Sequence, residues 1–244
     1  MLDAQSYFDR VSGDLSGDAT ARAAALAAAE AAGLPTRRQE AWHYTDVTRL
    51  LGKPTDDAIG AVDFAPLNPL MAVFDNGALR EAPVAKGLAL HDFEAAPISD
   101  DAMLNYNAAL AQGGLNAEIS GALAQPLIVT TRGDEPVHLH HKITLAPMAK
   151  AVLVDNHMSC GYTNARFDIT LGADAELTLI RVQQAGHQIG TSQIELAENA
   201  RVKSVALVTG GALARHEANV AFTAAGAHAE LHSAVLGHGD SHAD

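Results

Sequence analysis

Four copies of one short motif decide the fold of this chain: Met148-Ala149-Lys150-Ala151-Val152, Asp174-Ala175-Glu176-Leu177, Asn199-Ala200-Arg201-Val202 and His228-Ala229-Glu230-Leu231. In each copy an alanine opens an alternating apolar run, and the alanines follow one another after 26, 25 and 29 residues. Such a period is typical of solenoids, in which each unit packs only on its neighbours. The repeat therefore predicts that the chain from Leu145 to Leu236 folds into stacked rungs, one for each repeat.

The alternation within a rung is that of β-strands. After the second alanine, Leu177, Leu179 and Arg181 fall on one face of a strand. A second strand-like run precedes each later alanine, at 166–171, 192–196 and 217–223. Repeats of two short strands stack most simply as a parallel, right-handed β-helix solenoid, so we expect a mostly β protein. A helical alternative fails because no repeat keeps apolar residues at helical spacing.

Composition indicates a folded protein of the cytoplasm. The 244 residues are 48% hydrophobic, and the formal net charge is −13. That charge argues against nucleic acid and against anionic membranes as partners, and a solvated acidic surface explains it most simply. The single cysteine, Cys160, excludes an intramolecular disulfide. No secretory leader and no apolar run of transmembrane length is present, so we expect a cytoplasmic protein without a membrane role.

The N-terminal part, 1–52, predicts a small helical region. Helical patterns run over 1–12 and over 18–33, the second capped by Asp18 or Thr20 and ended by Gly33. Thr36 and Gln39 have the spacing of a capping box. We expect the aromatic side chains that follow to anchor this region on the β-body through hydrogen-bonded polar tips, and a ligand or partner role is the alternative. These side chains are Trp42 and Tyr44.

A mixed segment, 53–125, follows, with a linker, a β-hairpin and a helix. Asp75-Asn76-Gly77 predicts the hairpin turn between strands at 71–74 and 78–80. Residues 99–112 predict a helix capped by Ser99 or Asp100. The β-helix is expected over 126–244 and is incomplete at its C-terminal end, because no cap follows the last predicted strand, 231–236.

The chain resembles the SufD family of the SUF iron–sulfur cluster assembly system. The resemblance begins at Arg38-Gln39-Glu40-Ala41-Trp42-His43-Tyr44-Thr45-Asp46, which is similar to the family's Arg, Glu, Trp, Tyr-Thr signature. Three further motifs follow in the family's order: Val73-Phe74-Asp75-Asn76-Gly77, Leu104-Asn105-Tyr106-Asn107-Ala108-Ala109, and Arg215-His216-Glu217 with Ala229-Glu230-Leu231-His232. The segment Trp42-His43-Tyr44-Thr45 favours SufD over its paralogue SufB.

The resemblance implies a non-catalytic scaffold subunit that acts with SufB and the ATPase SufC. No cofactor would be held firmly by this chain, and an iron–sulfur cluster would be present only transiently in the complex. The family continues beyond the position of Asp244 with more β-helix, a cluster-related histidine and a helical domain that docks SufC. We therefore expect weak SufC binding, and a possible homodimer through the C-terminal rungs at 231–236. A structural β-solenoid interaction protein with no cluster role is the alternative.

Two groups of histidines were weighed as metal sites. His138 and His140 share one strand face, and imidazoles so spaced can share a metal, but the spacing supplies no third ligand. A polar strand face is the other interpretation. The second group alternates at the end of the chain, where we expect a frayed segment: His238, Asp240, His242 and Asp244. No metal ligand is assigned.

Candidate reactive groups lead to no catalytic assignment. Cys160 follows His157 closely, and an imidazole can lower a thiol's pKa, but a lone cysteine in a loop is more often inert. No phosphate-binding loop and no nucleophile elbow is present. Carbohydrate-active and hexapeptide-repeat enzymes lack support, because neither paired carboxylates at fixed rung positions nor a strict short repeat is found. Cofactor-binding residues stay undetermined.

Overall fold

Two mostly parallel β-sheets form the body of the protein. The computed structural model describes residues 15–47, 62–237 and 239–244. The strands in these residues are β1 (Leu70–Asp75), β2 (Ala78–Glu81), β3 (Leu88–His91), β4 (Asn116–Ile119), β5 (Leu127–Arg132), β6 (Val137–Leu145), β7 (Lys150–His157), β8 (Tyr162–Leu171), β9 (Glu176–Gln183), β10 (His187–Leu196), β11 (Arg201–Val208), β12 (Leu213–Phe222), β13 (His228–Val235) and β14 (His242–Ala243). The α-helices are α1 (Ala19–Ala32) and α2 (Ala102–Leu110), and short 3-10 helices lie at Glu40–Trp42 and Ala65–Leu67.

The strands alternate between the sheets, as a solenoid requires. Sheet A has the order β13-β11-β9-β7-β5-β1-β2, and sheet B has the order β14-β12-β10-β8-β6-β4-β3. From β4 onward each strand pairs in parallel with the strand two positions later. One turn of the solenoid therefore consists of one strand from each sheet, and there are about five turns. The predicted mostly β solenoid is confirmed.

The alanine motif marks the turn that enters each strand of sheet A. Met148, Asp174 and Asn199 have positive φ angles of 61°, 57° and 55°, and the alanine after each is fully buried. Asp and Asn tolerate this left-handed conformation better than most residues. The alanine that the sequence analysis assigned to the fourth repeat, Ala229, is wrong. Arg201 pairs with His228, so the true equivalent of Ala200 is Ala227, 27 residues later, and Ala229 lies two positions further on.

Inward-facing side chains of both sheets form one core inside the solenoid, which we call the lumen. Leu153 and Leu179 of sheet A pack there with Ile143 and Ile169 of sheet B, and all are at most 1% exposed. The predicted placement of Leu177 and Leu179 on one face of β9 is confirmed, and that face points into the lumen. Val205 lies on the outer face of β11 and is only half-buried.

The helices pack on each other and against the outer face of sheet B. α1 begins as predicted, with Asp18 accepting from the Thr20 N–H at 2.8 Å, and ends at Gly33. α2 is capped by Asp101, whose Oδ1 accepts from the Leu104 N–H at 2.9 Å, so the expected cap at Ser99 or Asp100 is wrong. Ser99 instead donates its N–H to Asn105 Oδ1. No helix in the described part is long and apolar enough to cross a membrane.

The segment ahead of residue 126 contributes strands to both sheets. The Asn76-Gly77 turn joins β1 to β2 as predicted, with φ angles of 47° and 81°. β1 also pairs in parallel with β5, and β4 pairs with β6, which the sequence did not indicate. The expected helix at 1–12 and most of the linker at 53–69 lie outside the described residues. The division at residues 52 and 125 stays a prediction.

The end of the chain is ordered rather than frayed. β14 pairs with the start of β12, where His242 is opposite Leu213. Asp244 accepts hydrogen bonds from Arg215 and from the Thr45 hydroxyl, and His242 Nε2 lies 3.1 Å from the same hydroxyl. The expectation of a frayed end is therefore wrong for these residues, because strand pairing and a buried arginine hold them. His238 lies outside the described residues.

Candidate functional site: a polar corner in the lumen

One side of the lumen is polar, although most of the lumen is apolar. The polar side lies where the strands of sheet A end and those of sheet B begin, beside the loops at 158–161 and 184–186. We call it the polar corner and define it by eight residues: Asp155, His157, Thr163, Arg181, Gln183, Gln188, Ser192 and His216. The first seven are at most 3% exposed, and His216 is partly exposed with its Nε2 buried. Buried polar groups on this scale need partners and mark a candidate site.

Strand register brings these residues together from distant parts of the sequence. Asp155 pairs with Arg181 and His157 with Gln183 in sheet A. Thr163 pairs with Gln188 in sheet B. Side chains alternate along a strand, so residues an even number of positions apart lie on the same face. Asp155 and His157 therefore share the inward face of Leu153 on β7, and Thr163 shares the inward face of Phe167 on β8. Two polar columns therefore face each other across the lumen.

Arg181 crosses the lumen from sheet A to sheet B. Its guanidinium donates to the Ser192 hydroxyl, lies 5.0 Å from the centre of the Phe167 ring and has Nη1 3.4 Å from Nδ1 of His216. Room for it comes from Gly190, where an added Cβ would lie 2.9 Å from Nη1. A side chain at position 190 would therefore displace the guanidinium.

Burial controls the charges in this site. It lowers the pKa of His157 and of His216 to about 3, and nearby Arg181 adds to the shift for His216. Burial raises the pKa of Asp155, while Arg181 and a hydrogen bond from Gln188 oppose that rise. Burial lowers the pKa of Arg181, and Asp155 opposes it. The imidazoles are therefore neutral at pH 7, and Arg181 and Asp155 favour each other's charged forms.

His141 extends the aromatic wall of the lumen beside this site. Its ring stacks on Phe167 with centroids 4.4 Å apart, and its Nδ1 accepts from the Leu115 N–H at 3.1 Å. Burial lowers its pKa to about 3, helped by His140 and Arg181. The accepted hydrogen bond requires the neutral ring to carry its proton on Nε2.

The two histidines that were weighed as a metal pair lie on the outer face of sheet B. His138 and His140 share that face, as the sequence predicted, and both are buried. Both ring nitrogens of His140 are engaged, Nε2 with Asp168 Oδ2 at 2.9 Å and Nδ1 with the Glu94 carbonyl at 2.8 Å. These contacts fasten the segment at Glu94 to the sheet. Within the described ranges, no group of three or more His, Cys, Asp or Glu side chains is arranged to hold a metal ion.

Cys160 lies at the surface of the loop beside the polar corner. Its thiol is exposed, and its N–H donates to the Gly133 carbonyl at 2.9 Å. His157, the imidazole nearest in sequence, points into the lumen and is neutral because burial lowers its pKa to about 3. It therefore provides no positive charge at pH 7 to stabilise a thiolate.

The aromatic pair of the N-terminal region has two different roles. Trp42 is 4% exposed and lies under the guanidinium of Arg215, whose Cζ is 4.0 Å from the ring centroid. The predicted anchoring of Trp42 on the β-body is confirmed, although the contact that shows it is the guanidinium of Arg215 over the ring and not a hydrogen-bonded polar tip. The prediction is wrong for Tyr44, which is 76% exposed and contacts His43 edge-on at 4.8 Å.

Sequence reasoning missed the polar corner as a site. The available signal was the placement of Arg181 on the same face as Leu177 and Leu179, because a charge on an inward face indicates a buried site. Asp155 lies 26 residues before Arg181, one repeat earlier, so the repeat itself brings the two charges together.

Comparisons with known proteins connect the chain with iron–sulfur cluster assembly. Residues 128–244 match the family model described as SUF system FeS cluster assembly, SufBD core domain. The iron-sulfur cluster assembly protein SufD of Escherichia coli is 27% identical over 216 residues, covering 75% of this chain and 51% of that protein. The chain thus spans about half the length of this curated relative. The rungs from β5 to β14 therefore carry a SufBD core domain of the SUF iron–sulfur cluster assembly system, and the chain is distantly homologous to SufD.

Proposed function

We propose that the protein is a non-catalytic scaffold subunit of cytoplasmic iron–sulfur cluster assembly, acting in a complex with SufB and the SufC ATPase. The observation that carries this proposal is the match of a SufBD core domain to residues 128–244, which are the rungs of the solenoid themselves. The similarity to SufD over 216 residues supports the SufD-like assignment within the family.

The architecture suits a scaffold. Continuous parallel ladders run through both sheets, and the lumen is filled by packed side chains over most of its length. Each rung is supported by its neighbours, so the outer faces form a rigid platform for partner subunits. The outer face of sheet B is partly occupied by α1 and α2, and the segment around Phe64 packs on part of the outer face of sheet A. The exposed remainder of both faces is available to partner subunits.

The cluster is cargo in this proposal and not a resident cofactor. The only thiol, Cys160, is exposed in a loop, and in the part of the chain that is described it belongs to no group of three or more side chains that could hold a metal ion. We therefore assign the transient cluster to the assembled complex, with ligands contributed by other subunits.

Co-purification tests the proposal. An affinity-tagged chain is co-expressed with untagged SufB and SufC, and we expect SufB, with or without SufC, to be retained. A tagged β-solenoid of similar size from an unrelated family is the control. Retention of neither subunit by a chain whose circular-dichroism spectrum shows folded β-structure would favour the alternative, a β-solenoid interaction protein with no cluster role.

A homodimer through the C-terminal rungs stays a prediction. β13 has a hydrogen-bonded neighbour on one side among the described strands, and Leu231, Val235 and Leu236 are 52%, 50% and 65% exposed. Such a strand edge favours association with another strand. Sedimentation velocity of the chain alone and with SufB would show whether SufB displaces the self-association.

A further inference from the structure

A set of buried polar atoms in the polar corner has no hydrogen-bond partner among the described protein atoms. They are Oδ2 of Asp155, Nδ1 and Nε2 of His157, Oγ1 of Thr163, Oε1 of Gln183 and Oε1 of Gln188. The five residues are at most 2% exposed, so bulk solvent does not reach these atoms. Buried polar groups in folded proteins almost always have a partner, either protein or ordered water.

These atoms belong to side chains that adjoin one another. Gln188 hydrogen-bonds to Asp155 across the lumen, and Thr163 is the register partner of Gln188. His157 follows Asp155 on the same strand face, and Gln183 is its register partner on the next rung. The five side chains therefore surround one small region instead of being scattered along the solenoid.

The chemistry of these atoms specifies the missing partner. The amide oxygens of Gln183 and Gln188 can only accept hydrogen bonds, and so can the carboxylate oxygen of Asp155 when that group is ionised. A neutral His157 has one donor and one acceptor, and both of its nitrogens are unpaired. The missing partner must therefore donate several hydrogen bonds and accept at least one. A fully deprotonated anion cannot donate to these oxygens, and an apolar molecule can neither donate nor accept.

We infer that the polar corner is a binding site for internal water molecules, which bridge Asp155 and Gln188 to His157, Thr163 and Gln183 across the lumen. Water both donates and accepts, and a buried water typically makes about three hydrogen bonds. A bridge of this kind joins sheet A to sheet B through polar contacts at the level where the apolar core stops. A bound monovalent cation such as ammonium would use the same oxygens, but Arg181 places a positive charge next to them.

The substitution Thr163→Val separates a hydrated corner from a dry one. Valine has the shape of threonine without the hydroxyl. If water binds Thr163 Oγ1, the substitution removes a partner of that water, and we expect the midpoint of thermal unfolding to fall by about 2–4 °C. If the corner is dry, valine removes an unpaired polar atom, and the midpoint rises. Thr170→Val on the exposed face of the same strand is the matched control and should change the midpoint little.

Direct detection of water provides the second measurement. In a high-resolution crystal structure of the whole chain, we expect water within about 3.2 Å of at least two of these atoms. Magnetic relaxation dispersion of the wild-type protein in solution should show long-lived internal water that Thr163→Val reduces. Three results would overturn the inference: a corner without water, density that refines as a cation, or a Thr163→Val midpoint equal to or above that of Thr170→Val.

Discussion

Replacing Arg181 by methionine should destabilise the protein strongly and in a pH-dependent way. Arg181 is 3% exposed and is the register partner of Asp155, which is 2% exposed. Methionine keeps the apolar stem of the side chain but removes the charge and the donor to Ser192. Asp155 would then be a buried carboxylate without a counter-charge.

The size of the loss in free energy of unfolding depends on whether Asp155 stays ionised or takes up a proton. Removing one partner of a buried charge pair costs about 3–5 kcal/mol. Asp155 can limit that cost by taking up a proton, which at pH 7 costs about 4 kcal/mol for a carboxyl that ordinarily titrates near pH 4. The loss relative to wild type should therefore be about 3–5 kcal/mol at pH 7.

The pH dependence has a definite sign. Without Arg181 the folded-state pKa of Asp155 rises further above its unfolded value, because burial already raises it and Arg181 opposes the rise. The penalty from this group is then absent below the unfolded pKa and grows as the pH increases toward the raised pKa. The difference between Arg181→Met and wild type should shrink by up to about 1.4 kcal/mol for each pH unit on lowering the pH from 7.

Urea unfolding followed by circular dichroism at pH 7 and pH 5.5 measures this difference. The double variant Asp155→Asn/Arg181→Met should recover much of the stability and lose the pH-dependent part. Arg201→Met, at an exposed position on the neighbouring strand, is the control and should stay within about 0.5 kcal/mol of wild type. A pH-independent loss, or no recovery in the double variant, would refute the pairing of Asp155 with Arg181.

Three further predictions rest on particular contacts. Leu177→Asp should abolish the cooperative β-sheet unfolding transition because it buries a charge in the lumen, whereas Val205→Asp on the half-buried outer face should leave a folded protein by circular dichroism. Burial lowers the pKa of His141 to about 3, so its neutral ring contributes stability above pH 6.5 that is lost as the pH falls toward 3. In His141→Phe, the free energy of unfolding from urea titrations should depend less on pH in this range, by up to about 1.4 kcal/mol per pH unit. Trp42→Ala should lower the free energy of unfolding by about 3–5 kcal/mol, and Tyr44→Ala by less than about 0.5 kcal/mol, in the same titrations.

The solenoid could be predicted because its turns leave a local signature. A left-handed residue followed by a buried alanine recurs at Asp174-Ala175 and Asn199-Ala200, and strand alternation follows each pair. The fourth repeat was misplaced because glycine, Gly226, takes the left-handed position there and the alanine of the next motif imitates the anchor. Turn conformation, and not the alanine alone, defines the repeat.

The polar corner could not be predicted from the sequence in the same way. Side chains alternate between the two faces of a strand, and a polar residue does not show by itself which face points inward. His157 and Gln183 stand at the ends of their strands, next to loops, and therefore look like surface residues. Only the register shows that they pair with each other on the inward face, beside Asp155, which hydrogen-bonds to Gln188 across the lumen. Similarly, Tyr44 and Trp42 could not be distinguished before the position of Arg215 was known.

Sedimentation velocity of the purified chain mixed with purified SufB, with and without SufC, tests the central claim most directly. A scaffold subunit of the SUF system should move into a faster-sedimenting species whose mass equals the sum of its components, and the free chain should be depleted in proportion. The Tyr44→Ala variant, which leaves the fold intact in this account, shows whether the exposed aromatic contributes to the contact. If a folded chain sediments independently of SufB and SufC at all concentrations up to tens of micromolar (on the order of weak transient complexes), the assignment to SUF cluster assembly is contradicted.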